Sequence, residues 1–195
     1  MAFEDGDEAP LGGAAGAWPG LSPAEQAALA KAPKRAGWRD AAGKAWNLPN
    51  TALGLAYGGL GMAAGEAGYL LGLQRAPPRI SLRDNAVQFT NNPFGGPSAV
   101  TLGNATVWRE DPYDPDDRYW HDATGNPMLE NGHTYPEHET QHTYQGQQLG
   151  PFYLPSNLLG GVNSMLHGTG WHGDANWNET GPQQNPPRPW PPRRR

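Results

Sequence analysis

His138-Glu139-Thr140-Gln141-His142 carries the most specific chemical instruction in the chain. Histidines four residues apart on a helix share one face, one turn from each other. Two imidazoles so placed can bind one metal ion from the same side. A glutamate next to the first can then act as base toward a water that the ion activates. Zinc in a hydrolytic centre takes three protein ligands and keeps one position open, so a third ligand is expected downstream. The candidates are His167, His172, Asp174 and Glu179. Glu179 is favoured: Asn176-Trp177-Asn178-Glu179 has the form of a helix start closed by Gly181-Pro182, and its carboxylate completes a His₂Glu set. The alternative metzincin spacing is absent, because Gln145 and Gln148 stand where its glycine and third histidine belong.

With such a ligand set, zinc lowers the pKa of water to about 7. Glu139 takes the proton and passes it to the leaving amine. Stabilising the oxyanion calls for a further donor, with Tyr153, His167 and His172 as possibilities, and Asn176 is placed to orient a ligand.

The elements that must position these residues are partly readable. Thr134-Tyr135-Pro136-Glu137 fits a capping box, with Thr134 as N-cap and Pro136 tolerated in the first turn. The helix then runs one turn into the motif and stops near Gly150-Pro151. Its middle residues Thr140 and Gln141 are polar where apolar ones are common. Upstream, 79–90 and 99–109 alternate like strands, and Asn91 to Pro97 is turn chemistry. A β-hairpin or small sheet is expected there, with 99–109 as the edge strand beside the active helix, able to hold substrate by main-chain pairing. Before it, 51–73 is apolar and glycine-rich, with Glu66 as its one charge and glycines spaced as small-x-x-x-small. Its length could span a membrane, but glycines also let short helices pack tightly on a core, which is the favoured reading. Glu110 to Asp117 is a dense carboxylate loop without EF-hand spacing, read as solvated.

From His138-Glu139-Thr140-Gln141-His142-Thr143-Tyr144-Gln145 the chain runs into Leu149-Gly150-Pro151-Phe152-Tyr153-Leu154-Pro155. His172, Asn176, Glu179 and Gly181-Pro182 follow, then Asn185-Pro186-Pro187-Arg188-Pro189-Trp190. In these residues, from about Asn47 to Trp190, it resembles the zinc metallopeptidase toxin domains of bacterial polymorphic-toxin and type VI secretion systems, including one at the C-terminus of a secreted spike protein. The resemblance implies a gluzincin-like site with His138, His142 and Glu179 on Zn²⁺ and Glu139 as base. It also implies a secretion apparatus, delivery into a competing cell, there acting in the periplasm, and a cognate immunity protein in the producer.

Composition bounds the rest. The chain has 195 residues, enough for one domain with a real core, but 27 Gly and 21 Pro make that fold loop-rich. A net charge of -5 argues against nucleic acid as a partner. With no cysteine, His and carboxylate ligation is the one route to zinc, and neither a reducing nor an oxidising compartment is favoured. Met1 to Asp5 is acidic, unlike a secretory signal. The expected organisation is a flexible leader at 1–20, a single α+β zincin-like catalytic domain at 21–184, and a Pro/Arg-rich tail at 185–195. Within the domain, 47–78 is the glycine-rich apolar segment, 79–109 the β region and 134–182 the zinc site. The expected function is zinc-dependent hydrolysis of a peptide or protein substrate. The alternatives are a zinc amidase acting on another amide, such as cell-wall peptide, and a membrane-active, non-catalytic protein working through 51–73.

Overall fold

The computed structural model describes residues 37–117, 119–122, 125–130 and 133–180. The leader and the tail lie outside the described residues. The packing below belongs to a compact unit that starts at Arg39.

The architecture is α+β. Helix α1 (Gly37–Trp46) leads through Asn47 into the long helix α2 (Leu48–Leu70). A four-stranded sheet follows: β1 (Arg79–Arg83), β2 (Ala86–Thr90), β3 (Ala99–Leu102) and β4 (Ala105–Trp108). After a two-stranded ribbon, β5 (Leu129–Glu130) and β6 (His133–Thr134), comes the motif-bearing helix α3 (Tyr135–Leu149). A 3-10 turn (Gly150–Phe152), helix α4 (Tyr153–Leu166) and the short helix α5 (Trp177–Thr180) complete the described chain.

The two strand-like stretches are each a hairpin. Asp84 and Asn85 both take positive φ, 52° and 61°, as a two-residue hairpin turn of mirror-image type demands. Gly103, with φ 65°, and Asn104 make the second turn. The hairpins join by a parallel pairing of β2 with β4, giving the order β1-β2-β4-β3. The edge strand beside the motif-bearing helix is therefore β3 alone, whereas β4 lies inside the sheet.

Helix α2 inverts the usual amphipathic pattern. Its buried positions are Asn50, Gly54, Gly58, Gly61 and Gly65, while Leu53, Leu60 and Leu70 face outward. The glycines let the helix backbone approach the sheet. A Cβ on Gly58 would sit 2.5 Å from the ring of Phe89, and one on Gly54 would sit 2.4 Å from the Leu102 carbonyl oxygen. The apolar core there consists of Phe89, Ala105 and Val107, with Tyr57 and Met62 of α2 packed against it. Among the described residues no helix is long and apolar enough to cross a membrane.

Buried asparagines tie these layers to α3 and the turn that follows it. Asn47 Nδ2 donates to Asn104 Oδ1 at 3.0 Å, and Asn50 Nδ2 donates to the Gly150 carbonyl oxygen at 2.7 Å. From the first hairpin turn, Asn85 Nδ2 donates to Thr143 Oγ1 on α3 at 2.9 Å. Such buried amides cost free energy unless paired, so satisfying them fixes one arrangement of α2, sheet and α3. In the acidic loop, Asp111, Asp114 and Asp117 turn their carboxylates onto backbone N–H groups of the loop itself.

Candidate metal centre

Helix α3 begins where its chemistry directs. Thr134 Oγ1 accepts from the Glu137 N–H, and Glu137 Oε2 accepts from the Thr134 N–H at 2.7 Å. This reciprocal cap satisfies two donors that a helix start otherwise leaves unpaired. His138 and His142 then project from one face, their ring centroids 4.7 Å apart. Thr140 and Gln141, polar as they are, lie buried on this helix. Thr140 Oγ1 returns its proton to the Pro136 carbonyl at 2.6 Å.

Glu179 reaches the same point from α5. Its Oε2 lies 3.2 Å from His138 Nε2 and 3.5 Å from His142 Nε2, and the two Nε2 atoms are 3.0 Å apart. These three residues form a group close enough to hold one metal ion. The donor set fits that use. Glu179 Oε2 is buried without a hydrogen-bond donor aimed at it, and two imidazole nitrogens face each other across a short gap. A buried carboxylate oxygen left this way is costly unless something positive meets it.

The electrostatics of the cluster are mutual. Burial alone would disfavour a charged His142 ring, but the Glu179 carboxylate outweighs it and holds the pKa up at about 10. Burial alone would raise Glu179. The positive charge of His142 and the contacts with His138, His142 and His172 outweigh that and hold it well below the usual carboxylate range. His142 and Glu179 thus favour each other's charged forms.

Glu139 lies beside the cluster, and its Oε2 accepts a 2.5 Å hydrogen bond from Thr101 Oγ1 on β3. Thr101 is itself 3.1 Å from Thr106 Oγ1 of β4, so the sheet holds this carboxylate. His172 stands at the rim, its side chain 68% exposed and its Nδ1 3.4 Å from Glu179 Oε1, a contact that raises its pKa against partial burial. Tyr153 is buried, its ring 6.4 Å from His142, and burial pushes its hydroxyl pKa well above the usual value, so it remains a donor. Asn176 acts on the backbone: its Oδ1 accepts from the Asn178 N–H and its Nδ2 donates to the Trp171 carbonyl, which shapes the turn into α5.

Two candidates are placed elsewhere. His167 is exposed at the end of α4, with Nδ1 2.8 Å from the Asn163 carbonyl oxygen, and is not in the cluster. Exposed Asp174 gives its carbonyl oxygen to Thr180 Oγ1 and is likewise outside it. An open cleft of about 460 Å³ between β1 and the 111–115 loop contains none of the site residues. Thr101 and Gln145, which hydrogen-bond Glu139 and His142, are neighbours of the cluster that motif reading passes over. Gln145 stands three residues after His142, hence on the same helix face, and that polar residue at i+3 is the signal that could have found it. Comparison with protein-family models, with curated proteins and with solved structures finds no match.

Proposed function

We propose that this protein is a zinc-dependent metallopeptidase with a zincin-like centre, holding Zn²⁺ through His138, His142 and Glu179. The observation that carries the reading is the convergence of these three ligands beside Glu139. Their ligand atoms lie 3.0, 3.2 and 3.5 Å from one another, close enough to meet on a single ion. Zinc bound there would act as a Lewis acid on a peptide carbonyl and would acidify water.

The chain's own residues supply the rest. Glu139 accepts the proton of the attacking water and returns it to the leaving nitrogen. Thr101 keeps one carboxylate oxygen of Glu139 in place, which leaves the other for that transfer. Strand β3, at the sheet edge beside α3, offers main-chain groups to an extended peptide. His172, exposed at the rim, is positioned to donate to the developing oxyanion. The role of a secreted antibacterial effector, delivered by a secretion apparatus into a competing cell and checked by an immunity protein, rests on the resemblance of the motif region.

The test combines metal content with hydrolysis. Plasma mass spectrometry is expected to find one zinc per chain in the wild type and in His172→Ala, and none in Glu179→Ala. Glu139→Ala is expected to keep its zinc and to lose cleavage of a fluorogenic peptide library. A Glu139→Ala protein that cleaves at the wild-type rate ends the mechanism, and a folded wild type that takes up no supplied zinc ends the metal assignment.

A further inference from the structure

Gln145 has no part in an H-E-x-x-H motif, yet it is fully buried on α3 and its amide is used at both ends. Nε2 lies 2.7 Å from the Asn178 carbonyl oxygen, and Oε1 lies 2.8 Å from His142 Nδ1. A carbonyl can only accept, so the amide nitrogen must be the atom that faces Asn178. The amide oxygen then faces His142, and since it too can only accept, His142 Nδ1 carries the proton. That leaves Nε2 as the ring atom turned toward His138 and Glu179. At its other end the same amide grips the residue directly before Glu179, on a helix only four residues long. A helix that short has no stability of its own and depends on tertiary contacts such as this one.

We infer that Gln145 is the positioning residue that assembles the metal centre. One amide sets the tautomer of His142 and ties α5 to α3, so that Glu179 arrives at the point where the two imidazoles converge. The inference rests on the metal reading above. It differs from a mere core-filling role in what it demands: a filler of similar volume would preserve the packing and lose the function.

Gln145→Met supplies that filler without donor or acceptor. Zinc affinity, measured by competition with a chromophoric chelator, is expected to fall about 10- to 100-fold, as it does when groups supporting metal ligands are lost. In the zinc-loaded protein, the ¹⁵N spectrum of the His142 ring is expected to change from one Nδ1–H form to a mixture of the two ring orientations. Gln145→Glu keeps an acceptor for His142 but sets an oxygen against the Asn178 carbonyl. It is expected to keep the Nδ1–H signature and still bind zinc more weakly than the wild type. If Gln145→Met does not fold, this second variant decides by the same two readouts. Zinc bound at wild-type affinity in either folded variant overturns the inference while the metal reading stands, even if the melting temperature drops. A folded wild type that binds no zinc overturns both.

Discussion

Three alanine substitutions on one helix test how α2 is held, and their signs differ. In an exposed helix interior, Gly→Ala stabilises by about 1 kcal/mol, because alanine has less backbone freedom to lose. Gly59 faces outward, and a Cβ there meets nothing within 4 Å. Gly59→Ala is therefore expected to gain that full amount, a rise of about 2–4 °C in melting temperature for a chain of this size. Gly58 is one residue away on the buried face. A Cβ there lands 2.5 to 2.8 Å from three ring atoms of Phe89, a core side chain that must shift. Overpacking of this kind costs about 1–3 kcal/mol, which cancels or exceeds the propensity gain. Gly61 is the severest case. Its Cβ would fall 2.0 Å from Asn92 Oδ1. Asn92 is fully buried, donates to the Gly58 carbonyl at 3.0 Å and accepts from the Phe94 N–H at 3.0 Å. Displacing it unmakes buried hydrogen bonds worth about 1–3 kcal/mol each, so Gly61→Ala is expected to destabilise by about 2–4 kcal/mol net. Urea unfolding followed by tryptophan fluorescence reads all three. Equal stabilisation by all three substitutions is the behaviour of a helix free of the sheet, and it would refute the packing argument.

Zinc binding should depend on pH in a definite direction. In the metal-free site His142 titrates near 10, so the ion displaces a proton at neutral pH, and affinity is expected to fall about tenfold per unit as pH drops from 8 to 6. The metal-free protein behaves oppositely. A folded-state pKa above the unfolded 6.5 contributes stability that is complete below 6.5 and lost as pH rises toward 10, so its melting temperature falls over that window. Isothermal titration and thermal scans check both, and a pH-independent affinity would remove the His142–Glu179 ion pair from the account. Thr101→Val removes a hydrogen bond to a carboxylate worth about 1.5–3 kcal/mol, so turnover is expected to drop about 10- to 100-fold with zinc content unchanged. Thr101→Ser should restore most of it, and a fully active valine variant would take Thr101 out of the site.

What could be read in advance follows the range of the interaction involved. The start of α3 was legible because its cap is local: Thr134 and Glu137 answer each other within one turn. The two histidines were legible because helical spacing alone puts them on one face. Glu179 could be favoured from the helix-start pattern around Asn176, but its arrival at the histidines depends on α4 and α5 packing back on α3, which no local pattern encodes. The hairpins were not separated because hydrophobic alternation continues through each turn. Asp84-Asn85 and Gly103-Asn104 carry the turn signal, but it is two residues wide within a longer alternating run. The parallel pairing of β2 with β4 joins strands from different hairpins and has no sequence signature. The glycines of α2 suggested close packing; that the leucines would be the outward face had to come from the fold.

The brevity of α5 shapes how a bound ion would come and go. Two ligands are fixed to a fifteen-residue helix, whereas the third sits on a four-residue one, held by a few hydrogen bonds to α3 and α4. Local opening of that arm costs far less than global unfolding, so it would set the exchange lifetime of a bound ion while the sheet and α2 stay intact. Whatever loosens that one short turn would shorten the ion's stay and weaken its binding together, without touching the stability of the rest of the fold.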